Sequence, residues 1–333
     1  MPTNNPYAID LGNGFTKRTK GNDVIVEPSV IEYIEDFFTS KESGNTFKYE
    51  KSDSYRIGND ADPSRAESAL GEEDQERYFT NEFSELLYGF IAKDFKEDVT
   101  IPLVVTGLPV NHYNEVAQRL VDEIKGKKVI RVNSNDAYAE IIDCRIIPQP
   151  LGTYMYLVNK GVIDPEEDSV LIVDGGHGTL DITEINDFVI SKKAGAELGV
   201  KEAHLQIFDF LNNKYSGSKH LKIANMHNIL EKGLLYNGSK IDVKNLQEVK
   251  KIINRHFDKQ SKFVKDSGFN VSDYTKVIYT GGSAELHREV IEEKQKKNFY
   301  VVENAQEANV LGYLEYGKAV LESEKDSTVR WSR

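Results

Sequence analysis

The sequence predicts an α/β protein of two similar domains facing each other, and three observations carry that prediction. YAIDLGNGFTK (7–17) and LIVDGGHGTLD (171–181) follow one pattern: an apolar strand ending in Asp, a Gly-rich turn, and a return strand containing Thr. Their aspartates, Asp10 and Asp174, stand 164 positions apart in a chain of 333 residues, so the pattern recurs once per half-chain. Nearly continuous apolar runs, as in strands buried on both faces, alternate with stretches whose apolar residues recur at intervals of three and four, as in amphipathic helices. Finally, 39 % of the residues are apolar, enough to fill the cores of two ordinary domains.

The elements follow in order. Residues 7–10 read as the first strand and 15–17 as its return; DVIVEPSVIEYI, from Asp23, reads as a further strand. Residues 36–80 are polar and weakly patterned (TSKESGN, GNDADPSRAES) and read as a loop-rich insertion outside the core. From Thr80 onward Phe83, Leu86, Leu87, Phe90 and Ile91 mark a helix. VTIPLVVTGLPV (99–110) reads as a doubly buried strand. Asn111 is placed to cap the next helix, with Val116, Leu120, Val121 and Ile124 on its inner side and Gly126 as its stop. KKVIRVN and AEIIDCRIIPQ read as strands, the second closed by Pro148 and Pro150, and LGTYMYLVNKG as a short helix. In the second half, SVLIVDGGHGTLDITEI and FVISKKAG give strands, followed by a helix over about 199–211. Residues 213–273 are lysine-rich with helical spacing and read as a helical subdomain or, by default, a solvated face. KVIYTGG is another buried strand, followed by a helix over 283–295, strand NFYVV, a last helix near 305–323 and a frayed tail, SEKDSTVRWSR.

The two corners have a composition suited to phosphate. Gly12, Gly14, Gly175, Gly176 and Gly178 permit positive φ and let backbone N–H groups approach a ligand closely. Successive N–H groups in such a turn form an anion nest. Thr16, Thr179 and Asn13 add hydroxyl or amide donors, and Lys17 a point charge. Asp10 and Asp174 cannot bind phosphate, but they can hold a hydrated Mg2+ that does. VIYTGGSAEL (277–286) delivers Gly281 and Gly282 to a helix N-terminus with Ser283 near its cap, where a flat or charged ligand can rest against the backbone. Singly, each element has an ordinary reading: a β-turn, a strand–helix connection, an aspartate bonding its own backbone. The weight lies in the three together.

In order and spacing the chain resembles the actin / heat-shock 70 / sugar-kinase superfamily of nucleotide-binding proteins, over residues 7 to about 320. The first hairpin, with Asp10, Gly12, Gly14 and Lys17, looks like that family's phosphate-1 loop; DGGHGTLD looks like its phosphate-2 loop and YTGGSAE like its adenosine loop. IIPQPLGTYMY and NAQEANVLGYLEYG look like the two segments that connect the domains. The resemblance implies two ribonuclease-H-like (actin-like) domains around a nucleotide cleft, each with a small inserted subdomain. Domain I would span 1–165 with its insertion at about 36–95, and domain II 166–303 with its insertion at about 197–273. Residues 304–333 would form a C-terminal helix returning to domain I and a tail.

Small size, the form D-G-G-x-G-T-L-D and the short first insertion look most like the plasmid-segregation actins of the ParM/StbA type. That implies ATP or GTP with Mg2+ as cofactors, slow hydrolysis coupled to self-association into filaments, and a cytoplasmic location. An adaptor protein bound to centromere-like plasmid DNA would link the filaments to their cargo, with no direct contact to DNA or membrane. The alternatives are a monomeric small-molecule kinase of the same superfamily, or another bacterial or phage cytoskeletal actin homologue. On this resemblance Asp10 and Asp174 are metal-side carboxylates acting through water, and Asp174 is also placed to accept a proton from the attacking water. Gln149, where several segregation actins carry Glu, would orient that water, since an amide is no general base at neutral pH. His177 would cap its turn, face solvent or contact the γ-phosphate, and Asp181 would support the hairpin; Glu231 and Lys232 match the region lining the adenine slot, with surface charge at a helix end as the equal alternative.

Composition narrows the partners. Lys and Arg number 42 against 54 Asp and Glu, a formal charge of −12, which disfavours gripping nucleic acid over a broad surface. The single cysteine, Cys144, forms no intramolecular disulfide and suits a reducing compartment. The first residues lack the basic and apolar regions of a signal peptide. GYLEYGKA (312–319) nearly spells a P-loop but lacks its Ser/Thr and lies in a helical run. The seven histidines show no zinc-site spacing.

Overall fold

The structure, a computed structural model, describes residues 3–34, 44–50, 52–70, 75–133, 135–294 and 296–331. The chain forms two compact units, one holding the chain up to Pro165 and again from Glu307, the other Glu166–Gln306.

In the first unit, β1 (Tyr7–Leu11), β2 (Phe15–Lys20), β3 (Asp23–Pro28), β4 (Val30–Tyr33), β5 (Phe47–Tyr49), β6 (Tyr55–Ile57) and β7 (Glu67–Ser68) precede helix α1 (Asn81–Phe95). Then come β8 (Val99–Leu108), α2 (Tyr113–Ile124), β9 (Gly126–Val132), β10 (Asn135–Pro148) and α3 (Gln149–Asn159). The ten strands form one sheet in the order β3-β2-β1-β8-β10-β9-β5-β6-β4-β7. The β1–β8 and β8–β10 pairs are parallel, as the continuous apolar run at 99–108 requires of a strand covered on both faces.

The second unit contains β11 (Val170–Gly175), β12 (Leu180–Asn186), β13 (Val189–Ala196), α4 (Lys201–Lys214), α5 (Met226–Lys232), β14 (Leu234–Tyr236), β15 (Ser239–Ile241), α6 (Gln247–Asp266), β16 (Lys276–Thr280), α7 (Gly281–Glu293) and β17 (Phe299–Val301). Its main sheet runs β13-β12-β11-β16-β17, with β11–β16 and β16–β17 parallel. That is the order and sense of β3-β2-β1-β8-β10. The duplication read from two aspartyl turns therefore extends to five strands in each unit. A last helix, α8 (Ala308–Trp331), belongs to the first unit and packs on α3, β1 and β8.

Several expectations change. DVIVEPSVIEYI is two strands: after Pro28 the chain leaves β2 and pairs instead with β6 and β7. Of the stretch 36–80, residues 36–43, 51 and 71–74 lie outside the described residues, but the remainder is not outside the core. Phe47, Tyr55 and Ile57 are fully buried and belong to the same core cluster as Ile9, Leu86 and Phe90. Their strands are only three residues long, too short for periodicity to register. Asn111 does not cap α2; His112 and Tyr113 both donate to the carbonyl of Pro109, which moves the helix start one residue on. Residues 213–273 are more than a solvated face: Met226, Ile229, Val243, Val249, Ile252 and Ile253 are buried in one core cluster with Val200, Ile207, Leu211 and Leu286, and β14 and β15 form a hairpin. The lysines of this stretch sit on the outer helix faces, which is why composition pointed to solvent. The tail continues α8 to Trp331, since no Gly or Pro interrupts it.

Close packing explains the P-loop look-alike. A Cβ on Gly312 would lie 1.7 Å from the carbonyl oxygen of Gly152, and one on Gly317 would lie 2.7 Å from Pro6. The glycines let α8 lie against α3 and the start of β1. Among the described residues no helix is long and apolar enough to cross a membrane.

Candidate functional site

In the first unit the corner joins β1 to β2. Asp10 lies opposite Lys17 in the antiparallel register and is buried, accepting from its ammonium at 3.1 Å. Gln149, in the first turn of α3, donates to the other oxygen of Asp10 at 3.4 Å. The structure thus brings together Asp10, Lys17 and Gln149, which lie up to 139 residues apart in sequence. The turn itself is held by Ser29, whose hydroxyl donates to the Gly12 carbonyl at 2.5 Å and whose N–H donates to Gly14 at 3.2 Å. With the Gly12 carbonyl turned toward Ser29, peptide planarity sends the Asn13 N–H the other way. The Asn13 side chain accepts from Arg77. Thr16 is fully buried and its hydroxyl is bonded to Ser29 at 2.9 Å, so it faces the interior. Beneath the hairpin, buried Arg18 donates to Asp94 at 2.8 and 3.0 Å and to Glu27 at 2.8 Å, fixing β2 to α1.

In the second unit the corner joins β11 to β12, and Asp174 lies opposite Asp181, both buried. The Gly176 N–H closes the turn onto Thr179 at 2.8 Å. Three successive amides of the neighbouring turn then hold its three carbonyls: Gly199 donates to Gly178 at 2.8 Å, Val200 to Gly176 at 3.0 Å and Lys201 to His177 at 2.9 Å. Among the described residues there are no cis peptides. Each trans peptide whose carbonyl faces the 199–201 turn therefore directs its N–H to the opposite side, so the amides of His177, Gly178 and Thr179 converge away from that turn. A row of amides facing one side has the form of an anion nest. Positive φ is not how it is built: Gly12, Gly175 and Gly176 keep backbone angles open to any residue. Gly175 is required by proximity, since a Cβ there would lie 2.1 Å from Ser283 Oγ. Gly281, at φ +75°, is left-handed, and a Cβ on it would stand 2.5 Å from Asp174 Oδ1.

Asp174, Gly175, Gly281 and Ser283 thus meet at the start of α7, with Gly282 against Val200. Two family models span this architecture: one described as the N-terminal domain of actin-like proteins matches residues 8–152, and one described as plasmid segregation protein ParM, C-terminal, matches residues 164–316. The chain belongs to the actin-like proteins of the ParM type. Solved structures share the fold of this ParM-type actin at low identity. A 15-stranded ParM filament from Clostridium botulinum is 21 % identical, with TM-score 0.74 over 95 % of this chain and 100 % of that one. An archaeal actin homologue in complex with ADP is 16 % identical, with TM-score 0.75 over 95 % and 99 %. The ParM protein of pSK41 is 19 % identical, with TM-score 0.70 over 96 % and 98 %. No curated protein sequence matches the chain.

The remaining candidate side chains of this ParM-type actin differ in exposure. His177 is exposed at the tip of its turn, and Glu231 and Lys232 are exposed at the end of α5, just before Gly233. The Ser283 hydroxyl is buried and accepts from Gln260 at 2.9 Å. Among the described residues no group of three or more His, Cys, Asp or Glu could cage a metal. Mg2+ accompanying a triphosphate asks for less, one or two carboxylates with water and phosphate oxygens completing its shell, and each corner carries a buried aspartate of that kind.

Sequence reading missed Ser29, Gly199, Arg77, His256 and Gln260. A signal did exist for the last two: both fall on the buried stripe of α6 with Val249, Ile252, Ile253 and Val264, where apolar residues are expected. His256 donates from Nε2 to the Gly199 carbonyl at 3.0 Å and bonds through Nδ1 to His287 Nε2 at 2.9 Å. Burial pushes His287 down to about 3 and His204 to about 4, with neighbouring imidazoles adding to both. Burial likewise lowers His256.

Proposed function

We propose that this chain binds a nucleoside triphosphate, ATP or GTP, with Mg2+, assembles with copies of itself into filaments, and hydrolyses the nucleotide slowly within them. The observation that carries the reading is the turn after Asp174, whose three carbonyls are drawn to one side so that successive N–H groups face the other beside a buried carboxylate. Such an array stabilises negative charge without side-chain cations, which is what a β- or γ-phosphate needs. Asp10, Asn13, Lys17, Gly175, Gly176, Gly178, Thr179, Gly281 and Gly282 would complete the nucleotide contacts. Mg2+ would be held through water by Asp10 and Asp174. Asp174 would take the proton of the attacking water, with Gln149 orienting that water. Support for assembly comes from the likeness to a ParM filament, and support for nucleotide from the likeness to an ADP-bound actin homologue.

On the same reading the filaments are cytoplasmic and move plasmid DNA through an adaptor, since a chain of charge −12 is ill suited to hold DNA directly. Light scattering, pelleting and electron microscopy of micromolar protein with MgATP or MgGTP test it. Filaments that form with triphosphate and disassemble as phosphate is released are the expected result. Nucleoside diphosphate formed with no polymer at any salt concentration, at a rate raised by a small hydroxylated acceptor that itself becomes phosphorylated, would sink assembly in favour of a kinase.

A further inference from the structure

Helices α6 and α7 contribute Val249, Ile252, Ile253 and Leu286 to one apolar core, yet four buried polar residues interrupt their contact. His256 and Gln260 lie one turn apart on α6; Ser283 and His287 lie one turn apart on α7. They pair as two rungs, His256 with His287 and Gln260 with Ser283, each at 2.9 Å. Apolar residues at these positions would join the helices without burying a polar group, so the rungs call for another explanation.

That explanation lies in where their outer donors point. Gln260 donates to the Leu198 carbonyl at 2.6 Å and His256 to the Gly199 carbonyl at 3.0 Å. A carbonyl only accepts, so His256 carries its hydrogen on Nε2, and the neutral ring accepts at Nδ1 from His287. The Leu198 carbonyl shares a peptide plane with the Gly199 N–H, which holds Gly178; the Gly199 carbonyl shares one with the Val200 N–H, which holds Gly176. Each rung therefore clamps one peptide plane whose opposite edge grips the glycine turn.

We propose that His256 and Gln260 are positioning residues for nucleotide binding, acting on the Gly176–Gly178 turn through the two peptide planes of 198–200. The inference rests on the nucleotide reading above. The test compares variants of the full chain that keep one bond of His256 and lose the other. A Gln side chain reaches to the place of the imidazole Nε2, and an Asn side chain only to that of Nδ1. His256→Gln should thus keep the bond to Gly199 and bind the wild-type nucleotide, MgATP or MgGTP, within about twofold. His256→Asn should bind about fivefold more weakly. Gln260→Met, similar in shape but with no donor, should weaken binding by a like factor, and amide hydrogen exchange at 199–201 should speed up in both weakened variants without nucleotide. Equal affinity for the Gln and Asn variants, or affinity losses that merely follow loss of melting temperature, would overturn the inference while leaving the function intact. A wild-type chain that binds neither nucleotide would overturn both.

Discussion

The two glycine corners share a topology and differ in how they are supported. In the first, the strand aspartate faces Lys17, and one residue, Ser29, holds the turn with its own hydroxyl and amide. In the second, the strand aspartate faces Asp181, and the turn is held by three amides of a second turn that two helix side chains fix in place. The first corner is charge-balanced locally and held by short-range contacts. The second pairs two carboxylates across one hairpin and draws its rigidity from residues up to about 80 positions away. A duplicated backbone is thus free to diverge in chemistry, because the sheet fixes where the corner sits while the neighbours decide its charge.

Substitutions at the two aspartates should show the widest separation. Asp174→Ala should leave nucleotide binding detectable while lowering phosphate release about a hundredfold, and its filaments should persist longer. Unchanged release in a single-turnover assay would remove Asp174 from the chemistry. Asp10→Ala should also lower thermal stability, because it strips the partly buried Lys17 of its carboxylate.

Next come the supports. A Cβ on Gly199 would stand 2.4 Å from the backbone oxygen of His177, so Gly199→Ala should cost about 1–3 kcal/mol in urea unfolding and abolish nucleotide binding. At Gly12 the corresponding contacts are 2.9 Å to the Phe15 oxygen and 3.2 Å to the ammonium at the far end of the Lys17 side chain, so Gly12→Ala should cost less. The reverse ranking would mean that the second turn is the looser one.

Acidity should separate the corners by a smaller amount. His287 and His204 are held at about 3 and about 4 in the folded chain against an ordinary value of 6.5. Between those limits the unfolded chain binds protons that the folded one refuses, so stability falls as pH drops below 6.5. From pH 6.5 to 5 the loss should be about 1–2 kcal/mol for each histidine. Glu27 and Asp143 have folded values below 4.5 and 3.8, so their contribution is lost only at lower pH. A unit-2 probe whose urea midpoint stays flat over that interval would contradict the buried neutral histidines. Smallest, Ser29→Ala should cost about 1 kcal/mol and affect the first turn alone, as read by amide exchange near Asn13.

The elements that carry the fold were legible where a run was long or a residue type distinctive. The strand at 99–108, the helix at 81–95 and both aspartyl corners could be read because apolar runs, three-to-four spacing and Asp-Gly turns are local signals. The strands around Phe47 and Tyr55 were not, being three residues each amid polar chain. Nor was the core beneath the lysines of 213–273, since the inner face of an amphipathic segment is masked in composition by its outer one.

For the candidate site, the sequence by itself determined which residue types recur at the two corners, and hence the kinship with ParM-type actins. Only the tertiary structure decided how those corners are held: that Gln149 reaches Asp10, that Thr16 and Ser283 turn inward, and that two polar residues on a distant helix steady the second turn. The reason is physical. Turn composition acts through neighbours along the chain, whereas the orientation of a carbonyl is set by whichever donor the fold brings beside it, and that donor can come from any part of the sequence.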